Sequence, residues 1–103
     1  MSQRPIQILE TVDPQYFKLH ESSSKLALGE GGALPRKYKY LIAMAIDATH
    51  GATEGVKALA RGAMQTGATK EEVIEALRVV YHINGSGGVH SALPALRELF
   101  PPK

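Results

Sequence analysis

The residues best suited to chemistry in this sequence lie at one end of an apolar run. Asp47 and His50 are three apart, so on a helix they share a face, and a carboxylate three residues before an imidazole can orient it for proton transfer. Asp47 is the one formal charge between Lys39 and Glu54, in a stretch otherwise made of apolar, small and hydroxyl residues around His50. A carboxylate buried there without a partner would be costly, so a specific neighbour or an interface is expected. Tyr40 carries a phenolic hydroxyl and is a candidate hydrogen-bond donor. His90 sits beside a glycine-rich turn and is a further acid–base candidate if its helix packs near His50. Arg36, Lys37 and Lys39 crowd the first turn of a helix, where cations oppose the macrodipole. They are candidates for holding an anion such as a substrate carboxylate. No HxxxH or HExxH spacing is present, so no metal site and no cofactor are expected.

These residues need elements to position them, and every element reads as a helix. Residues 1–13 carry no helical period and read as an arm, leaving 14–103 as a single domain. Asp13-Pro14 combines an N-cap with a proline at the first helical position, opening a helix to about Leu28. Pro35 opens a second helix, to about His50. Its apolar run from Tyr38 to Ala48 predicts a helix buried all round. Thr53 is the expected cap of a third, with Val56, Leu59, Ala60 and Ala63 as its stripe. Thr69-Lys70-Glu71-Glu72 is a capping box ahead of an apolar run, predicting a fourth helix that turns Val73, Ile74, Leu77, Val80 and Tyr81 inward. A last helix follows the turn at residues 84–88, with Val89, Leu93, Leu96 and Phe100 on one side. Pro94 would kink it if it began at Ser86, and would cost little if it began at Ser91. The expected fold is all-α, with about five helices.

Composition removes whole classes of function. There is no cysteine among the 103 residues, which excludes disulfides, thiolate metal sites and thiol catalysis. The net charge is +2, with no basic stripe interleaved with aromatics, so no nucleic-acid partner is expected. No apolar run reaches membrane-spanning length and the N-terminus has no signal-type core, so the expectation is a cytoplasmic protein without a membrane partner. A chain this small buries a modest core, which makes self-association a fair expectation.

The segment KYKYLIAMAIDATHGATEGVKALARGAMQTGATKEEVIEALRVV, continued by NGSGGVHSALPALREL, resembles the carboxymuconolactone decarboxylase / alkylhydroperoxidase D family. The resemblance rests on a long helix, a short turn and a second helix, then Gly67-Ala68-Thr69-Lys70-Glu71-Glu72-Val73-Ile74-Glu75-Ala76-Leu77, and finally a glycine-rich turn before the last helix. It implies an all-α homo-oligomer, trimeric or hexameric, with sites near subunit contacts. The peroxidase branch is similar in carrying a Cys-x-x-Cys, a following His and a preceding Glu. Those positions fall here on Ala52, Gly55, Leu59 and Tyr40, all changed. The resemblance therefore implies the family's fold without its thiol chemistry, and places Tyr40, Ala52 and His50 around the equivalent pocket. Two functions are compatible with it: acid–base conversion or binding of a small carboxylate-type molecule through Asp47, His50 and Tyr40, and a non-catalytic oligomeric binding or assembly protein.

Overall fold

The computed structural model describes residues 4–102, and among these every regular element is helical. A short 3-10 turn, Pro5–Ile8, leads into α1 (Leu9–Val12) and α2 (Pro14–Leu28). After these come α3 (Arg36–Thr49), α4 (Thr53–Gln65), α5 (Lys70–Asn84) and α6 (Ser86–Leu99). The chain divides into two compact units, one ending at Glu30 and one beginning at Gly31.

In the first unit, residues 5–12 are helical, although they lack the periodicity of a long helix. Pro5 at the start of the 3-10 turn has a preset φ, which suits so short a piece. The expected cap of α2 is in place: Asp13 Oδ1 accepts the Tyr16 N–H at 3.1 Å, and Pro14 is the first helical residue. Arg4 pairs with Glu21 at 2.6 Å. None of the three helical segments of this unit contains a buried residue.

The second unit carries the core. Met44, Val56 and Val73 are its largest fully enclosed side chains. Around them, Ala48, Ala60, Ala63, Ala92 and Ala95 are buried to within 1%. Alanine at the contact lines lets helix axes come close. The capping box of α5 forms in both directions: Thr69 Oγ1 accepts the Glu72 N–H at 3.1 Å, and Glu72 Oε1 accepts the Thr69 N–H at 2.9 Å.

Four expectations are corrected. Helix α3 is not buried all round: Leu41, Met44 and Ala48 face the core while Ile42 and Ile46 are 49% and 52% exposed. Apolar content on every face does not bury a helix whose neighbours in the chain cover only part of it. The cap of α4 is Ala52, not Thr53. The turn closes through Gly51 (φ +71°), and the Ala52 N–H bonds the Asp47 carbonyl at 2.9 Å, so Thr53 is already inside the helix. On α5, Val73, Leu77 and Val80 are buried as expected, but Tyr81 is exposed. Helix α6 starts at Ser86 and runs through Pro94, which stands on its exposed side. The residues α6 buries are Gly88, Ala92 and Ala95, one position off the larger stripe of Val89, Leu93 and Leu96. Small residues face the core because α6 packs against α3 and α4 at close range. Ser91 marks this, its hydroxyl lying 2.9 Å from the Ala48 carbonyl of α3 and 2.8 Å from its own helix's Gly88 carbonyl.

Candidate functional site

Helices α3 and α4 form an antiparallel hairpin, and two glycines of α4 receive two side chains of α3. Asp47 projects from the last turn of α3 onto the first turn of α4. A Cβ at Gly55 would collide with its Oδ2 and lie 2.9 Å from its Cγ. Seven residues earlier on α3, the Tyr40 ring lies on Gly62: a Cβ there would come within 2.9 Å of Cε1 and 3.0 Å of Cδ1. Gly55 and Gly62 are also seven apart, so two turns of each helix are in register, with Leu59 partly buried between them. Asp47 is half-buried, and its carboxylate meets the N-terminal end of α4, whose partial positive charge favours an anion.

His50 is not joined to Asp47. It occupies the C-cap of α3, exposed, with its peptide N–H directed to the Ile46 and Asp47 carbonyls at 3.3 and 3.1 Å. Among the described residues, no side-chain hydrogen bond or ion pair links the two. The helix ends between them, and the Asp47 side chain has turned across to α4. His90 is exposed on α6, in a depression shared with Lys57, Leu93, Pro94, Arg97 and Glu98. Asp47, His50 and Tyr40 are not among the residues lining that depression.

The three cations before the hairpin divide their roles. Arg36 stacks its guanidinium 5.4 Å from the Tyr40 ring centre, and its Nη2 donates to Tyr40 Oη at 3.2 Å. The phenol's own proton therefore remains to be given to another acceptor. Lys37 ties α3 to α5, its Nζ 3.0 Å and 3.3 Å from the Glu72 carboxylate oxygens and 5.0 Å from the Tyr38 ring centre. That hydrogen bond to Glu72 raises the Lys37 pKa above the ordinary lysine value. The Glu72 carboxyl is held below its usual range, first by the Thr69 N–H and then by the Lys37 ammonium. Glu72 thus closes a helix cap and an interhelical ion pair at once. Lys39 is half-buried on the same turn. Among the described residues, no three His, Asp or Glu side chains gather as a metal ion would need.

Sequence reasoning missed Gly55, Gly62 and Glu72 as partners of the candidate residues. The spacing 40/47 against 55/62 was available as a signal: two side chains and two glycines, each pair seven apart, across a short turn. An all-helical unit built on such a hairpin, followed by a capped helix and a glycine-led last helix, defines a class of small helical proteins. A model of the carboxymuconolactone decarboxylase family matches residues 14–98, and the chain belongs to that family. No curated protein and no solved structure matches it.

Proposed function

We propose that this protein is a homo-oligomeric, thiol-free member of its family that binds or converts a small carboxylate-type molecule by acid–base chemistry. The observation that carries this reading is the Asp47 carboxylate lying over Gly55 at the start of α4. Position 55 is where the resemblance puts a family cysteine, and here the carboxylate reaches the space a side chain at that position would occupy. A carboxylate can take a proton from carbon and return it, chemistry that needs no sulfur. Asp47 acts as base and acid in a decarboxylase-, lyase- or isomerase-like step, with His50, exposed at the end of α3, as a second proton carrier. Tyr40 gives its free hydroxyl proton to a ligand oxygen, and Arg36 meets the ligand's carboxylate. Lys37 is engaged by Glu72 and has a structural part.

Geometry limits the ligand. Tyr40 and Asp47 are seven residues apart on one helix, about 10 Å along its axis. A molecule held at both ends is therefore an elongated carboxylate rather than a two- or three-carbon acid.

The test is a ligand-observed NMR screen of straight-chain and lactone carboxylates against the protein and its Asp47→Asn and Tyr40→Phe variants. The expected result is binding or turnover that Asp47→Asn abolishes with helical content intact. Identical behaviour of wild type and Asp47→Asn toward every bound compound would remove the reading.

The alternative is a non-catalytic binding or assembly protein of the same fold. It is favoured by the exposed apolar surface of α3 and α5, where Ile42, Ile46, Val79 and Ile83 stand 49–78% exposed.

A further inference from the structure

We infer that the groove between α5 and α6 is a second binding site, for a medium-chain fatty carboxylate with its head on Arg78 and Tyr81. It is separate from the reading at Asp47, since neither Asp47 nor Tyr40 lines it. The packing of α6 makes the groove. Its small residues Gly88, Ala92 and Ala95 go to the core, which leaves the larger Val89 and Leu96, two turns apart, as a wall. Ile74, Leu77, Arg78 and Tyr81 recur at i, i+3, i+4 and i+7, one stripe of α5, and form the opposite wall. The hollow between them holds about 260 Å³. That is below the usual range for drug-sized ligands, roughly 300–1,000 Å³, so it suits one acyl chain and not a two-chained lipid. Ile74 and Leu96 are shared with a second hollow, lined in part by Leu93 and Phe100. The apolar track therefore continues along α5 from Arg78 towards Lys70, about 12 Å of helix, which gives a chain room to lie extended.

Charge selects an anionic head. The inner surface of the first hollow is carbon alone, so the Arg78 guanidinium and the Tyr81 hydroxyl stand at its edge. The two residues are one turn apart and together offer a cation and a hydroxyl donor, which is what a carboxylate takes up. Among the described residues, neither side chain is in a hydrogen bond or an ion pair. Glu71 and Glu75, the exposed acids of α5, pair with no cation of the groove. Glu98, next to Arg97, is held by Arg61 at 3.0 Å and by Lys57 at 3.7 Å. No acid lines either hollow, while Lys70 and Arg97 line the second. The Lys70 ammonium already lies 5.4 Å from the Phe100 ring centre, which leaves Arg78 as the place for the head. A neutral apolar ligand would leave Arg78 and Tyr81 unused.

Methyl NMR of the full chain, labelled at Ile, Leu and Val, tests this directly, because Ile74, Leu77, Val89 and Leu96 all carry such methyls. Decanoate is the probe, with decanol and acetate as controls. Saturable shifts are expected at those four residues with decanoate and none with acetate, and decanoate should bind more tightly than decanol. Arg78→Gln should weaken decanoate about tenfold, the loss of one charge-assisted hydrogen bond, and leave decanol unchanged. Tyr81→Phe should give a smaller loss. Asp47→Asn should bind decanoate as the wild type does, so failure of the acid–base reading and failure of this one are told apart. Circular dichroism checks that the variants are folded. If Arg78→Gln is not, the comparison of decanoate with decanol on the wild type decides. Equal affinity of wild type and Arg78→Gln for decanoate, or shifts confined to the surroundings of Asp47 and Tyr40, would overturn the inference. No shift at millimolar decanoate would overturn it as well, and a mass that Arg78→Gln then lowers in light scattering would give the groove to a second copy.

Discussion

At the scale of single residues, the contact between Asp47 and Gly55 makes an unusual prediction about a conservative change. Alanine in place of glycine inside a helix ordinarily stabilises by about 0.5–1 kcal/mol. Here the added Cβ would lie 2.9 Å from Asp47 Cγ and closer still to Oδ2, so the carboxylate must leave. Gly55→Ala is therefore expected to lower the urea midpoint, and in an Asp47→Ala background the same change should raise it. The coupling in that double-mutant cycle should be on the order of 1 kcal/mol, and additive single and double changes would show that the two residues do not touch. Asp47 was legible as an anomaly, a lone charge in an apolar run. Its neighbour was not, because spacing along one helix favours His50 while the nearer group comes from the next helix across a turn. Tyr40 was read as a hydroxyl donor, but the Arg36 bond that leaves its proton unused depends on rotamers that sequence does not specify.

Among the elements, α5 was the most legible, since a capping box before an apolar stripe is a local signal that packing has no reason to override. Thr69→Ala should cost about 1 kcal/mol, while Thr69→Ser, which keeps the acceptor oxygen, should cost less than half of that. Thermal melts of both variants decide it. The Lys37–Glu72 link adds a pH dependence whose direction follows from the two shifts. Glu72 is depressed below 4.5 in the folded state, so its contribution is present above that pH and is lost as pH falls through its lower, folded value. Lys37 is raised above 10.5, so its contribution holds below that pH and disappears as pH rises through the higher folded value. The stability difference between wild type and Glu72→Gln should therefore be level through the neutral range, narrow on the acid side and narrow again in strong alkali. A difference that stays constant down to pH 2 would separate Glu72 from the linkage. Helix α6 was the least legible element. Its larger apolar stripe suggested one inward face, yet the close approach to α3 and α4 selected the adjacent line of Gly88, Ala92 and Ala95.

For the molecule as a whole, the core is thin, and its stability should be linked to association. Among the described residues, all twelve buried apolar side chains lie between Leu41 and Ala95, and half of them are alanine. An alanine contributes less transfer free energy than a leucine or isoleucine at the same burial, and domains of this size are marginal even with larger cores. Meanwhile Ile42, Ile46, Val79 and Ile83 remain open to water on α3 and α5. This is also why the all-α class was legible and the buried set of α3 was not. Periodicity tells which residues are apolar, but whether they meet the chain's own core or a partner is decided outside the helix. If a second copy covers that face, native assembly draws the folding equilibrium with it, and the melting temperature must rise with protein concentration. Scanning calorimetry from micromolar to near-millimolar protein should show an upward shift of several degrees in the wild type and none in Ile46→Asp. The same should hold for a chain of residues 31–103, because that unit contains both the core and the open face. A wild-type transition that stays at one temperature across that range would mean that the α3–α5 surface plays no part in holding the fold together.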